Sequence, residues 1–276
     1  MILKKGMTRI FLYAVEAFVL VISAFPLLWV IVSAFKTNGE ILSDPLALPS
    51  SISLDTFAHL FDTYNFPVYF LNSLLAAGVS TVVSLLFYSM GAYVIAKFNF
   101  PGRRLLYILF TITLLVPAHS KTQPIFSLVM QLGLYDNIWG VTFVYLSMGM
   151  AMSIFILKAG FMAVPKTLDE AAIVDGAGFV RVFLRINLPL VKNALTTAGI
   201  LMFLNNWNEY YFASLLTVSD SQRTLPIALA FFTSEFSYNY TQLFSALTVV
   251  ILPGIILYAL AQEKVQASVA TAGIKG

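Results

Sequence analysis

The sequence predicts an all-α integral membrane protein with six transmembrane helices, and three observations lead there. Of 276 residues, 59% are hydrophobic and 11% charged; soluble domains carry roughly 45–50% apolar and about 25% charged residues. Apolar runs near the ~20 residues that a spanning helix needs recur six times. The basic residues also collect in alternate connections between those runs, as the positive-inside rule expects of a multi-pass chain.

The first span is Ile10–Phe35, with Glu16 about two turns inside it and a tolerable Pro26. Lys36 to Phe70 is a long polar connection bearing Pro45, Pro49 and Pro67. Leu71–Ala96 is the second span, followed by the basic turn Lys97–Arg104. Leu105–Leu132 is the third, interrupted by Pro117 and Pro124. After the turn Gly133–Asn137 comes the fourth, Ile138–Phe161, and then the loop Met162–Pro189. Leu190–Val218 holds the fifth span and Leu243–Ala261 the sixth, ahead of the tail Gln262–Gly276. In blocks, residues 1–66 form a first helix with its external loop. Residues 67–262 form a five-helix core containing the loop 165–189, and residues 263–276 a tail.

Thirteen lysines and arginines lie on the side of the termini and the 162–189 loop, against Lys36 and Arg223 opposite and Lys121 within a span. Both termini and that loop are therefore expected in the cytoplasm, and the chain in the cytoplasmic membrane. A basic pI near 9.0 reports orientation here, not a nucleic-acid partner. With no cysteine, a disulfide scaffold and a thiolate metal site are excluded. The first apolar run is long and lacks a small-residue cleavage site, so no cleaved signal is expected. No GxxxxGK[ST], HExxH or GxSxG pattern occurs, so the chain is not expected to hydrolyse ATP or to be an enzyme, and no bound cofactor or metal is expected. Broken spans with mid-span charges also fit an ion-gradient-driven secondary transporter, although the two halves do not look duplicated. A purely structural membrane subunit is a third reading.

Ionisable groups inside spans are functional candidates by default. His119, Lys121 and Gln123 sit between two prolines, where a kinked, water-accessible segment is expected, serving either pathway or packing. Asn205, Asn206, Trp207, Asn208, Glu209, Tyr210 and Tyr211 form an amide-and-aromatic cluster in the fifth span. Amides suit sugar hydroxyls and aromatic faces suit the C–H faces of sugar rings. The alternative is a hydrogen-bond network between helices.

The least apolar long interval is Glu170 to Pro189. Thr167 with Glu170 predicts a capping box opening a short helix. Asp175, Gly176 and Gly178 predict a sharp turn. Phe179, Val182, Phe183 and Ile186 predict one apolar face of a second helix, with Arg181 and Arg185 on another and Leu188-Pro189 ending it. Two short angled helices of this kind suit docking into a partner's groove.

The spaced residues Glu170, Ala171, Ala172, Asp175, Gly176, Ala177, Phe183, Ile186, Leu188 and Pro189 resemble the EAA loop of binding-protein-dependent ABC importer permeases, without departure. In that family the loop is a coupling helix seated in a cytoplasmic ATPase. The Trp207-Asn208-Glu209 segment and Thr224-Leu225-Pro226 resemble the carbohydrate branch, related to the smaller maltose-permease subunit. So does the tail of Thr271, Ala272, Gly273, Lys275 and Gly276, although Ser268-Val269-Ala270 replace the usual Gly-Leu before it. The resemblance implies a type I importer permease with its coupling loop between the fourth and fifth helices. It implies a second, non-identical permease subunit, a cytoplasmic ATPase dimer carrying ATP and Mg²⁺, and an extracytoplasmic sugar-binding protein. It also implies that the tail contacts the ATPase and that an oligosaccharide or related small carbohydrate is carried; a non-sugar solute is the alternative.

Overall fold

A computed structural model describes residues 2–235 and 239–273, and among these the regular structure is helical throughout. The chain divides into two compact units, residues 1–66 with 229–252, and residues 67–228 with 253–276.

The first unit opens with α1 (Ile2–Ser33), which holds Pro26 in its interior and leaves Glu16 and most of its apolar surface exposed. The connection that follows is partly helical. Thr37 closes a capping box with Glu40 over α2 (Asn38–Ser43), and α3 (Asp55–Thr63) succeeds it. Lys36 is buried, and its Nζ donates to the carbonyls of Asp44 and Pro45, each at 2.9 Å. Trp29 Nε1 donates to the same Pro45 carbonyl, and its ring meets Phe244 edge-on at 5.0 Å. A buried ammonium is costly unless paired or hydrogen-bonded; here two backbone carbonyls supply the partners.

In the second unit α4 (Phe66–Lys97) starts earlier than the hydropathy suggests. Pro67 lies in its first turn, where a missing N–H costs nothing. Beyond α4, the third, fourth and fifth expected spans are bent. α5 (Arg103–Ile112) and α6 (Thr122–Gln131), with their adjoining 3-10 turns, meet at 105°. Pro117 causes this bend: it lacks an N–H, and it drives Val116 to an extended ψ of 113°. α7 (Ile138–Tyr145) and α8 (Met150–Ala163) meet at 46°, across Gly149 at φ +75°. The Leu146 carbonyl at that bend accepts from Ser84 Oγ at 2.7 Å and from the Tyr88 hydroxyl, both on α4.

α9 (Lys166–Val174), α10 (Phe179–Val182) and α11 (Leu188–Leu190) lead into α12 (Lys192–Trp207) with a turn of 77° at Val191. The expected end at Leu188-Pro189 is thus displaced: helix continues through Pro189 and breaks two residues later. A π turn, Phe183–Asn187, precedes the proline, and Leu188 N–H reaches back five residues to Phe183 O. After Trp207 the expected fifth span is interrupted at Asn208–Tyr210 before α13 (Tyr211–Leu216). α14 (Leu225–Glu235) begins in the TLP segment, where Leu225 N–H donates to Ser73 Oγ at 2.8 Å. α15 (Tyr240–Gly273) runs past the expected sixth span and takes Thr271, Ala272 and Gly273 into its last turn; Lys275 lies outside the described residues.

Tyr93, Leu157, Phe161, Phe183, Ala194 and Ala198 pack α4, α8 and α12 around the start of the π turn. Gly160 lets α8 and α12 approach closely, since a Cβ there would lie 2.8 Å from the Ala194 Cβ. At the far end of the unit, the 133–137 turn is fastened to residues 216–222. Asp136 accepts from the amides of Val218 and Ser219 and from the Ser219 hydroxyl. These bonds, led by the Ser219 side chain, hold its carboxyl below the usual range.

Candidate functional site

The loop between α8 and α12 is built by local backbone chemistry. Pro165, at ψ 135°, occupies the N-cap position, so α9 is already helical at Lys166. Thr167 is then the second helical residue and makes no cap; the expected capping box with Glu170 is not formed, and Glu170 is exposed. Asp175, Gly176 and Ala177 close the helix in a Schellman motif. Ala177 N–H donates to Ala172 O at 2.9 Å and Gly176 N–H to Ile173 O at 3.0 Å, with Gly176 at φ +78°. The expected turn at Gly176 is therefore present with its physical cause. Gly178, in contrast, is extended and serves as the N-cap of α10.

The motif residues divide by exposure. Ala172 and Phe183 are buried, Ala177 is half-buried, and Glu170, Ala171, Asp175, Gly176 and Pro189 are exposed. Of the expected apolar face, Val182 and Phe183 are buried and Ile186 is partly so. The Phe179 ring lies 5.6 Å from both Tyr93 and Phe98 yet stays half-exposed. Ile173, Val174 (86% exposed), Phe179 and Val180 flank the turn as an exposed apolar crest, with Ile173 and Phe179 also lining its crook. A cavity of about 440 Å³ lies in the crook, with Tyr93, Phe98 and Phe179 supplying aromatic walls and Lys97, Lys166 and Asp169 charged ones.

Sequence reasoning missed three polar residues that brace this loop. Lys97, the last residue of α4, pairs with Asp169 of α9 at 2.9 Å and donates to Val164 O at 2.8 Å. Asn187, wholly buried in the π turn, donates to the same Asp169 carboxylate at 2.5 Å. The signal was weak, since Lys97 reads as one of several basic turn residues and Asp169 as an ordinary first-turn acid.

The mid-span candidates fall on the two breaks. The 116–121 bend is exposed, carrying His119 and Lys121. The His119 ring meets Tyr211 edge-on at 4.3 Å, and the Thr122 and Tyr211 hydroxyls are 2.8 Å apart. The structure thus joins the third-span and fifth-span clusters through Tyr211. Within the fifth, Trp207 is 2% exposed, packed between Phe70 and Phe203. Glu209 caps α13: its carboxylate accepts from the amides of Phe212 and Ala213, and the Tyr145 hydroxyl donates to it at 2.8 Å. Asn206 Nδ2 donates to Ser80 Oγ, a bond of the network type. Asn205, Asn208 and Tyr210 remain exposed around the break.

Helices of spanning length, three bent pairs and one capped helix-turn-helix with an apolar crest define a multi-pass membrane protein with a single specialised loop. Residues 88–271 match the family described as binding-protein-dependent transport system inner membrane component, and the chain belongs to that family. It is 32% identical over 251 residues to the diacetylchitobiose uptake system permease protein NgcG of Streptomyces coelicolor, covering 90% of this chain and 83% of that one. It is 30% identical over 276 residues to the inner membrane ABC transporter permease protein YcjP of Escherichia coli, covering 99% of each. Its fold is similar to that in a crystal structure of a bacterial ABC transporter that imports the acidic polysaccharide alginate. The TM-score is 0.78 at 23% identity, over 94% of this chain and 95% of that one.

Proposed function

We propose that this chain is one permease subunit of an ATP-driven importer for an oligosaccharide or related small carbohydrate. One observation carries the reading: the Schellman-closed loop offers an exposed apolar crest, Ile173 to Val180, on a chain with no phosphate-binding loop of its own. A surface of that kind suits a groove in a partner, and the partner that supplies energy is an ATPase dimer binding ATP and Mg²⁺. By length and composition the helices account for up to five spans; on this reading α1, α4, the α5–α6 and α7–α8 pairs, α12 with α13, and α15 are the six, with both termini and the loop in the cytoplasm. A second, non-identical permease subunit completes the pathway, and an extracytoplasmic sugar-binding protein delivers the solute. The tail, through Thr271, Ala272, Gly273 and Lys275, reaches the ATPase. When ATP closes the dimer the loop moves with it, and the bent helices reopen outward.

The sugar class is supported by relatives named for diacetylchitobiose, arabinooligosaccharides and trehalose. It is also supported by the exposed amides of Asn205 and Asn208 and the exposed ring of Tyr210, beside Tyr211, whose ring meets His119. Glu209 and Trp207 serve this surface by shaping it. The test is copurification with uptake. Val174→Asp places a charge on the crest and is expected to leave the permease in the membrane, release the ATPase and abolish uptake. Uptake driven by an ion gradient, with no ATPase present, would sink the reading.

A further inference from the structure

We infer that Lys97, Asp169 and Asn187 form a positioning clamp that makes the loop and the end of α4 move as one body. The inference rests on reading the loop as the coupling element. Its basis is a junction in which three segments meet at one carboxylate. Asp169 stands in the first turn of α9, Lys97 at the end of α4, and Asn187 in the π turn that leads toward α12. The Lys97 and Asp169 side chains are 4% and 15% exposed, so the pair is shielded from water and salt. Lys97 also holds Val164 O, the last carbonyl before Pro165 opens α9. One ammonium thus fixes where α9 begins and which way it points.

Asn187 strengthens the argument. Its Nδ2 donates to Asp169 at 2.5 Å and to Val182 O at 3.4 Å, while its buried Oδ1 has no partner among the described residues. A buried amide with its acceptor idle is a poor stabiliser, and an apolar side chain of its shape would be less costly. Its two donated bonds explain its place: they orient the carboxylate and close the π turn. Around this junction the packing is dense, with Phe183 against Tyr93 at 5.1 Å and Phe161 at 6.3 Å. A push on the exposed crest therefore reaches α4 through an ion pair and an aromatic stack, not through a flexible connection.

The chain has no cysteine, so single labels can be placed freely. Spin labels at Asn99, just past α4, and at Leu168, an exposed residue of α9 outside the crest, report the distance across the clamp in the purified complex. In the parent, and in Lys97→Arg, one narrow distance is expected, unchanged when ATP and vanadate are added. Lys97→Met/Asp169→Leu removes the clamp while keeping apolar bulk, an exchange that buried ion pairs often tolerate in stability. There the distribution is expected to broaden about twofold and to shift with ATP and vanadate, in protein that still melts cooperatively. A narrow, nucleotide-independent distance in the double variant, or a parent distance that shifts with nucleotide, would overturn the clamp. Retention of the ATPase is scored separately, on unlabelled parent: its loss there would remove the coupling reading, while the distances in nucleotide-free protein still judge the clamp.

Discussion

At Gly176 two consequences of a side chain can be separated. A Cβ there would meet no atom of this chain within 4 Å, so inside the permease only the backbone objects. Left-handed backbone costs an ordinary residue about 1–2 kcal/mol, and asparagine less. Gly176→Asn is therefore expected to keep the turn; if it still releases the ATPase on purification, contact and not strain is the reason glycine stands there. The fifth-span cluster separates in a similar way. Trp207→Ala opens a core cavity and is expected to cost about 3–5 kcal/mol, seen as a lower melting temperature in detergent. Asn208→Ala is expected to leave melting unchanged and to raise the half-saturating sugar concentration. The sequence made the cluster visible as a set of amides and rings. It could not show that the indole turns inward between Phe70 and Phe203, because an aromatic ring serves a core and a sugar equally well.

At the scale of elements, the same local pattern had two outcomes. Thr37-Asn-Gly-Glu40 and Thr167-Leu-Asp-Glu170 share the Thr-x-x-Glu spacing; the box expected at the second does not form, and one forms at the first. Pro165 decides the second, by starting α9 a turn position too early for Thr167 to cap it. Thr37→Ala is accordingly expected to lower stability by about 1 kcal/mol, and Thr167→Ala to change it by less than about 0.5 kcal/mol; thermal melts distinguish them. Glu40 adds a pH signature. Hydrogen bonds from Ser50 and Thr37 lower its pKa from 4.5 to about 2. A depressed carboxylate stabilises the fold fully above the ordinary pKa and loses that contribution as pH falls through the folded one. Amide protection at Ser50 and Thr37, corrected for intrinsic exchange, is expected to hold from pH 7 to about 5 and to fall between about 4 and 2. Glu40→Gln is expected to remove that step.

For the whole molecule, hydropathy made the apolar stretches legible but not their direction. A window average counts residues and is blind to a bend of 46°, 77° or 105°. Pro117 announced the largest bend. Gly149 and Val191 carried no comparable flag, and the break at Asn208–Tyr210 was hidden inside a cluster that looked functional. The loop was legible because its DGA segment is the chemistry of a Schellman closure; the Lys97–Asp169–Asn187 junction was not, because its members are far apart in sequence. The orientation proposed above rests on the basic residues alone and is open to direct measurement. Single cysteines at Ser50 and Ser221 are expected to react with an impermeant thiol reagent in intact cells, and one at Gly178 is not. Labelling of Gly178 from outside would reverse the topology.

The Leu146 carbonyl gives the bend between α7 and α8 a spectroscopic identity. Two hydroxyl protons, from Ser84 and Tyr88, converge on one oxygen, and each weakens the C=O bond it approaches. Isotopic labelling of that single carbonyl should therefore place its stretching band to the red of an ordinary helical amide. Tyr88→Phe should move the band back by one increment, and adding Ser84→Ala by a second. Followed during turnover, the band would act as a vibrational clock for the bend itself, reporting without a bulky probe whether α7 and α8 straighten when solute passes.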